Sequence, residues 1–248
     1  MSLSLHVLGS AGSWPASGLP SSGYVVADGS TRVVMDLGFG TMVRLDDPLD
    51  VDAVVMSHRH PDHCADVLAL FQLWGHGPDR RSGVPLIGPQ STIDALAAFV
   101  DAGPGHRFWE VFAPQPVVHG DTRTIGTLSF DFVDVDHSAP TVGMRVESAS
   151  RSLFYTGDTG LAGEWWTAVD QSDTVLAEAS WQGDGDGGDY TQHLTAAQAG
   201  AIAASLGAER LILAHLKPGL DPVRSVAEAH KTFPGTVLHA DPGLTIEV

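Results

Sequence analysis

Seven residues, Ser57-His58-Arg59-His60-Pro61-Asp62-His63, constrain this chain more than any others. They set three histidines and a carboxylate in the pattern His-x-His-x-Asp-His. Imidazole nitrogen and carboxylate oxygen together suit a borderline metal such as zinc. The preceding Asp52-Ala-Val-Val-Met56 reads as a buried strand, and the motif begins where that strand ends. His58 and His60 lie two apart, so on extended backbone they point the same way. Asp62 and His63 follow at a turn begun by Pro61 and can aim at a second point nearby. One short loop can thus supply ligands to two metals. The bland alternative is a polar loop that happens to contain histidine. That alternative predicts no distant partners, and this chain has them.

At 248 residues the chain can bury a large core, and a single domain over 1–248 is ordinary for a layered α/β fold. No segment approaches the roughly 20 apolar residues of a membrane helix, so no membrane partner is expected. The opening Met1-Ser-Leu-Ser-Leu-His-Val-Leu-Gly-Ser10 has no basic region, and Ser and His break its apolar run. It reads as a first strand, not a signal peptide. The single cysteine, Cys64, cannot form an intrachain disulfide, which fits a reducing, cytoplasmic compartment. A packed thiol at the start of a helix is favoured for it over a metal role. The 13 Lys and Arg against 30 Asp and Glu give a formal net charge of −17. That argues against a protein held on nucleic acid by its overall field. Nucleotide chemistry stays open, because bound metal ions supply strong local positive charge.

The first half reads as strands at Leu3 to Gly9, Gly23 to Asp28, Arg32 to Gly38 and Val51 to Met56. A helix is expected from about His63 to Trp74, with Val67, Leu70, Phe71 and Trp74 at helical spacing. A short strand at Pro85 to Gly88 and a helix at Ser91 to Ala102 follow, with Ser91 or Thr92 near the N-cap. The second half gives strands at Thr127 to Val135, Val142 to Glu147, Ser152 to Thr156 and Thr174 to Glu178. A short helix is expected at Glu164 to Val169. An alanine-rich helix spans Thr195 to Leu206, ended by Gly207. Then come a strand at Arg210 to Ala214, a helix at Pro222 to Phe233, and strands at Thr236 to His239 and Leu244 to Val248. Two halves of strands followed by helices suggest two packed sheets with helices outside. The Gly- and Asp-rich Gln182 to Tyr190 reads as a mobile surface loop whose spacing matches no EF-hand.

Three further metal-capable residues stand just past apolar strands: His137, Asp158 and His215. Strand ends that converge on one sheet edge can bring such residues together with the opening motif. At this point the chain resembles the metallo-β-lactamase superfamily, and within it the ribonuclease Z-like branch. The resemblance covers nearly the whole chain: Asp36, then His58-x-His60-x-Asp62-His63, His137, Asp158 and His215, in order. It implies an α/β fold, the four-layer αββα sandwich. It also implies two divalent metal ions, zinc first, with manganese or iron as other fits to a His/Asp set. Carried over by position, His58, His60 and His137 would hold the first ion. Asp62, His63 and His215 would hold the second, Asp158 would bridge, and Asp36 would fix the loop.

Glu178-Ala-Ser180 resembles the branch's acidic strand end, and His193-Leu-Thr195 its second histidine motif. The resemblance implies that Glu178 and His193 pair and that His193 assists the departing oxygen as a general acid. Two metals about 3.5–4 Å apart would share a hydroxide, oriented by Asp62, that attacks phosphorus in line. Thr141 lies where the branch often places a hydroxyl near phosphate; a turn role serves equally.

The chain is also similar to compact actinobacterial cyclic AMP phosphodiesterase-like metallohydrolases, through Ser57 to Cys64, Gly157-Asp158-Thr-Gly and Glu178-Ala-Ser-Trp181. The expected function is therefore hydrolysis of a small phosphodiester such as a cyclic nucleotide. A tRNA 3′ processing endonuclease is the alternative, but the long basic arm expected between Glu147 and His193 is missing. Hydrolysis of lactams, lactones or thioesters, with promiscuous β-lactamase activity, is a third reading. A metal-binding protein that has lost catalysis is a fourth, opposed by the complete ligand set. A homodimer is admissible. His6, His76, His106, His119, His230 and His239 are assigned no metal role, and the Trp165-Trp166 pair is assigned to the core.

Overall fold

The structure, a computed structural model, describes residues 2–149, 151–183 and 191–248. Most of the expected Gln182 to Tyr190 loop, residues 184–190, lies outside the described residues. The first half runs β1 (Ser4–Gly9), β2 (Gly23–Asp28), β3 (Thr31–Leu37), β4 (Ala53–Val55), α1 (Pro61–Cys64), α2 (Val67–His76), β5 (Val84–Gly88), α3 (Gln90–Phe99), α4 (Arg107–Val111) and β6 (Phe112–Pro116). The second half runs β7 (Thr122–Ile125), β8 (Leu128–Asp134), β9 (Val142–Glu147), β10 (Ser152–Tyr155), β11 (Thr174–Glu178), α5 (Ala196–Ser205), β12 (Arg210–Ala214), α6 (Pro222–Ala229), β13 (Thr236–His239) and β14 (Thr245–Glu247).

The strands form two seven-stranded sheets, in the orders β14-β1-β2-β3-β4-β5-β6 and β13-β12-β11-β10-β9-β8-β7. Alternation along the strands explains why the sheets stack. In β3, Val33 and Met35 enter the core between the sheets, while Val34 and Leu37 face the outer helices. In β11 and β12, Leu176 and Ile212 face inward, and Val175, Ala177, Leu211 and Leu213 meet α5. Strands covered on both faces need near-continuous apolar runs, and these sequences supply them. Val67, Leu70 and Trp74 of α2, with Ile93 and Leu96 of α3, cover the first sheet. Ala199, Ile202 and Ala203 of α5 cover the second. The result is the αββα sandwich. No helix among the described residues is long and apolar enough to cross a membrane.

Strand direction sets where the site lies. The pairs β3–β4, β10–β11 and β11–β12 are parallel. Because β8–β9 and β9–β10 are antiparallel, β8 runs with β10. The C-terminal ends of these strands therefore deliver Asp36, the Ser57–His63 motif, His137, Asp158, Glu178 and His215 to one edge. The hydrogen bond from Val142 N–H to Ser57 O, 3.1 Å, joins the two sheets there.

Three local expectations need correction. The helix expected from His63 to Trp74 is two, α1 and α2; the Asp66 carboxylate between them accepts from Met42 N–H at 3.0 Å. Asp62 and His63 thus sit in the first turn of a helix that starts at Pro61, a residue preorganised for that position. Helix α3 begins one residue before Ser91, with Pro89 as its N-cap, and neither the Ser91 nor the Thr92 hydroxyl makes a hydrogen bond among the described residues. The Glu164 to Val169 segment is a 3-10 helix over Ala162–Ala168, with Trp165 buried against Phe154 as expected.

A Cβ built on Gly38 would fall 1.8 Å from the carbonyl oxygen of Asp62, where the exit of β3 crosses α1. Gly38→Ala should therefore destabilise the protein by about 1–3 kcal/mol through forced overpacking. Gly103 has nothing within 4 Å of the same position, and Gly103→Ala should stay within about 0.5 kcal/mol of wild type. Denaturant unfolding of both variants tests this contrast; equal stabilities would refute the close approach.

Candidate metal centre

Three groups of ligand atoms form at the shared edge, in each of which all atoms lie within 4.8 Å of one another. The first comprises His58, His60, His137 and Asp158, the second Asp62, His63, Asp158 and His215, and the third Glu178, His193 and His215. Asp158 belongs to the first two, and His215 links the second to the Glu178–His193 pair. The expected metal residues are thus all brought together, in the partition the resemblance implied. His60 Nδ1 lies 3.1 Å from His137 Nε2. His63 Nε2 lies 3.1 Å from Asp158 Oδ1, and His215 Nε2 lies 3.3 Å from Asp158 Oδ2 and 3.2 Å from Asp62 Oδ2.

Four of the five imidazoles, those of His58, His63, His137 and His215, are oriented by their far nitrogen. His63 Nδ1 donates to Asp36 Oδ2 at 2.8 Å. Asp36 also accepts from Ser57 N–H (2.7 Å), Ser57 Oγ–H (2.6 Å) and Tyr155 OH (2.8 Å). With its proton given to Asp36, Ser57 Oγ can accept from His58 Nδ1 at 3.0 Å. His137 Nδ1 donates to Gln192 O at 3.2 Å. His215 Nδ1 donates to Ser180 Oγ at 2.8 Å, and that hydroxyl donates to Glu178 Oε2 at 2.8 Å. These bonds fix the tautomers, so that Nε2 of His58, His63, His137 and His215 presents a lone pair to the centre.

The fit to cations is visible in what is left unpaired. His58 Nε2, His63 Nε2 and Asp158 Oδ1 are buried with no hydrogen-bond partner among the described residues. Buried polar atoms are normally satisfied, and a cation is the partner these three share. Burial and the neighbouring His63 push His58 well below its ordinary pKa. Burial also lowers His60 and His137. Burial alone would raise Asp158 and Asp62, but the surrounding imidazoles outweigh it and hold both carboxyls well below their usual range. His63 goes the other way: burial alone would lower it, but Asp158, Asp62 and Asp36 outweigh this and raise it well above its ordinary pKa, so a cation at its Nε2 would take the place of a proton. Imidazoles gathered around ionised carboxylates make a donor set suited to a dinuclear metal site.

Glu178 and His193 meet beside this centre. His193 Nδ1 donates to Glu178 Oε1 at 2.7 Å, and the same oxygen accepts from Thr159 N–H at 2.8 Å. The His193 ring stacks on His215, with centroids 5.4 Å apart. Burial pulls His193 down, but the Glu178 carboxylate and its hydrogen bond more than offset this and raise its pKa. Thr141 Oγ donates to Ala139 O at 2.9 Å, a turn role. Cys64 packs on the outer core with its Sγ–H directed to Arg59 O, and burial pushes its pKa up to about 12. His76 and His106 pack around Phe71, away from the centre.

Four contributors escaped sequence reading: Ser57, Tyr155, Ser180 and the Gly12-Ser13 turn. Ser13 N–H donates to Asp62 Oδ2 at 2.8 Å. A Cβ on Gly12 would meet His215 O at 2.4 Å, so only glycine lets this turn approach. The glycine-serine run after β1 was the one available signal.

Replacing Ser180 by Ala removes the acceptor of His215 Nδ1–H and leaves that donor buried. Metal affinity should fall about 10–100-fold, the usual cost of losing an outer partner of a ligand. Competition with a chelator measures this; unchanged affinity would show that Ser180 does not orient His215.

Residues 24–216 match the family described as Beta-lactamase superfamily domain. An uncharacterised protein of Mycobacterium tuberculosis is 32% identical over 245 residues, covering 96% of this chain and 89% of that one. Ribonuclease Z of Methanopyrus kandleri is 26% identical over 286 residues, covering 99% and 98%. The crystal structure of the metallo-β-lactamase fold protein YhfI from Bacillus subtilis superposes with a TM-score of 0.87 at 24% identity, covering 99% of each chain. The chain belongs to the β-lactamase superfamily and is a metal-dependent hydrolase.

Proposed function

We propose that this hydrolase is a phosphodiesterase acting on a small phosphodiester such as a cyclic nucleotide, with two divalent ions, zinc first among them. His58, His60 and His137 would hold one ion, and Asp62, His63 and His215 the other, with Asp158 between. Bound there, such ions lower the pKa of water and neutralise phosphoryl oxygens.

The observation that carries the phosphodiester reading is the Glu178–His193 pair. His193 is held through Nδ1–H by Glu178 at 2.7 Å, which orients its ring beside the centre. Its raised pKa favours the protonated ring, which can pass a proton to a departing alkoxide. An alkoxide is a poor leaving group near neutral pH and gains much from that donor. A relative named ribonuclease Z supports the chemistry, since RNA cleavage is phosphodiester cleavage. The composition favours a small substrate over tRNA. Between Glu147 and His193 the sequence has a single basic residue, Arg151, and the chain carries a net charge of −17.

Metal analysis of the purified, metal-replete protein should give close to two ions per chain; a value near zero would sink the reading. A panel of chromogenic phosphodiester, cyclic AMP, precursor tRNA and β-lactam ranks the substrates, and rapid, specific cleavage of precursor tRNA would overturn the preference for small ones. His193→Ala should slow cyclic AMP turnover about 100-fold or more, with metal content intact. The loss should be smaller for a nitrophenolate leaving group, which needs no proton. Loss of metal instead would make His193 a ligand.

A further inference from the structure

The chain has two lysines, Lys217 and Lys231, against 30 acidic residues. Lys217 stands two residues beyond His215, where the chain leaves β12. Its Nζ lies 3.2 Å from the centroid of the Trp181 ring. Trp181 is itself anchored at the site. It follows Glu178 by three residues, its N–H donates to Leu194 O at 3.1 Å, and it bridges to Thr195. The Trp181 backbone thus ties the strand end that carries Glu178 to the segment that carries His193, and its indole supports an ammonium on its face. Among the described residues no carboxylate lies within ion-pair distance of Nζ.

A cation held on an aromatic face is attracted by the ring quadrupole, which uses none of its N–H donors in hydrogen bonds. Those donors stay available to a ligand. Lysine serves phosphate groups as a compact point charge. The Lys217 charge is felt at both Glu178 and His193. In so acidic a chain, a lysine placed beside the proposed acid with no ion-paired carboxylate among the described residues is suited to an anion.

We propose that Lys217, carried on the Trp181 indole beside the Glu178–His193 pair, binds the substrate's phosphoryl oxygen and selects anionic phosphodiesters over neutral esters and lactams. The inference rests on the phosphodiester reading above. A lysine that merely covers Trp181 would affect stability but would not distinguish charged from neutral substrates.

The test compares metal-loaded wild type, Lys217→Gln and Lys217→Arg on a chromogenic phosphodiester and on neutral p-nitrophenyl acetate. Calorimetric titration with inorganic phosphate accompanies the assays. Lys217→Gln should raise KM for the phosphodiester about ten-fold and weaken phosphate binding about as much, the usual scale for a hydrogen bond to a charged group. Its kcat should stay within about three-fold, because the contact already forms in the bound ground state. Ester hydrolysis should not change, and Lys217→Arg should keep most of the preference. Equal losses on both substrates, or unchanged KM and phosphate affinity in an active enzyme, would overturn the role of Lys217 alone. A wild type that binds two metals yet leaves the phosphodiester intact would overturn the phosphodiester reading itself.

Discussion

The buried carboxylate of Asp36 is the interaction on which the rest of the centre depends. It is fully buried and takes four donors: Ser57 N–H, Ser57 Oγ–H, His63 Nδ1–H and Tyr155 OH. Those donors come from the loop after β4, from α1 and from β10, so one side chain at the end of β3 ties both sheets to the motif. Burying a carboxylate costs several kcal/mol unless charge-assisted bonds offset it. The backbone bears part of the cost as well. Asp36 sits at φ +54, in the left-handed region that non-glycine residues avoid. His215 does the same at φ +55, on the opposite sheet. Strained backbone at two strand ends that face each other marks the edge where position outranks local comfort.

Glu178 repeats this logic on the second sheet with a different outcome. Asp36 spends its bonds on orienting His63 and, through Ser57, His58. Glu178 divides its oxygens: one holds His193 and the other holds Ser180, which holds His215. The same carboxylate therefore orients a proposed ligand and the proposed acid. Disturbing it would couple metal affinity to proton delivery, whereas the Asp36 network reaches the ligands without touching His193.

The sequence made the centre legible because its ligands follow apolar strands. Val54-Val-Met leads to His58, Leu153-Phe-Tyr to Asp158, and Leu211-Ile-Leu-Ala to His215, and each boundary is a change from apolar to polar. Ser57, Ser180 and Tyr155 leave no such mark. They act through hydrogen bonds to partners 21 to 119 residues away, and serine or tyrosine is ordinary at any strand end. The missed elements have a similar cause. β6 carries Pro114 and Pro116, which read as a break; a sheet-edge strand tolerates them because one side needs no ladder. β7 is an edge strand of the second sheet, with only partial burial of Arg123 and Ile125, so its alternation is faint. α4, five residues long, is too short to show a helical period.

Charge and geometry together bear on the size of the substrate. At physiological salt the field of exposed charges is screened over about 8 Å. A small anion inside the centre would feel mostly the groups lining it and any bound cations. A long polyanion must also lie along the outer surface of a chain that carries 30 acidic residues against 13 Lys and Arg. Each phosphate beyond the one in the centre would meet that acidic surface and lose the counterion release that usually drives such binding. The acidic surface would thus penalise a polyanionic substrate in proportion to its length, while the proposed phosphodiester group in the buried ligand set would be little affected by it.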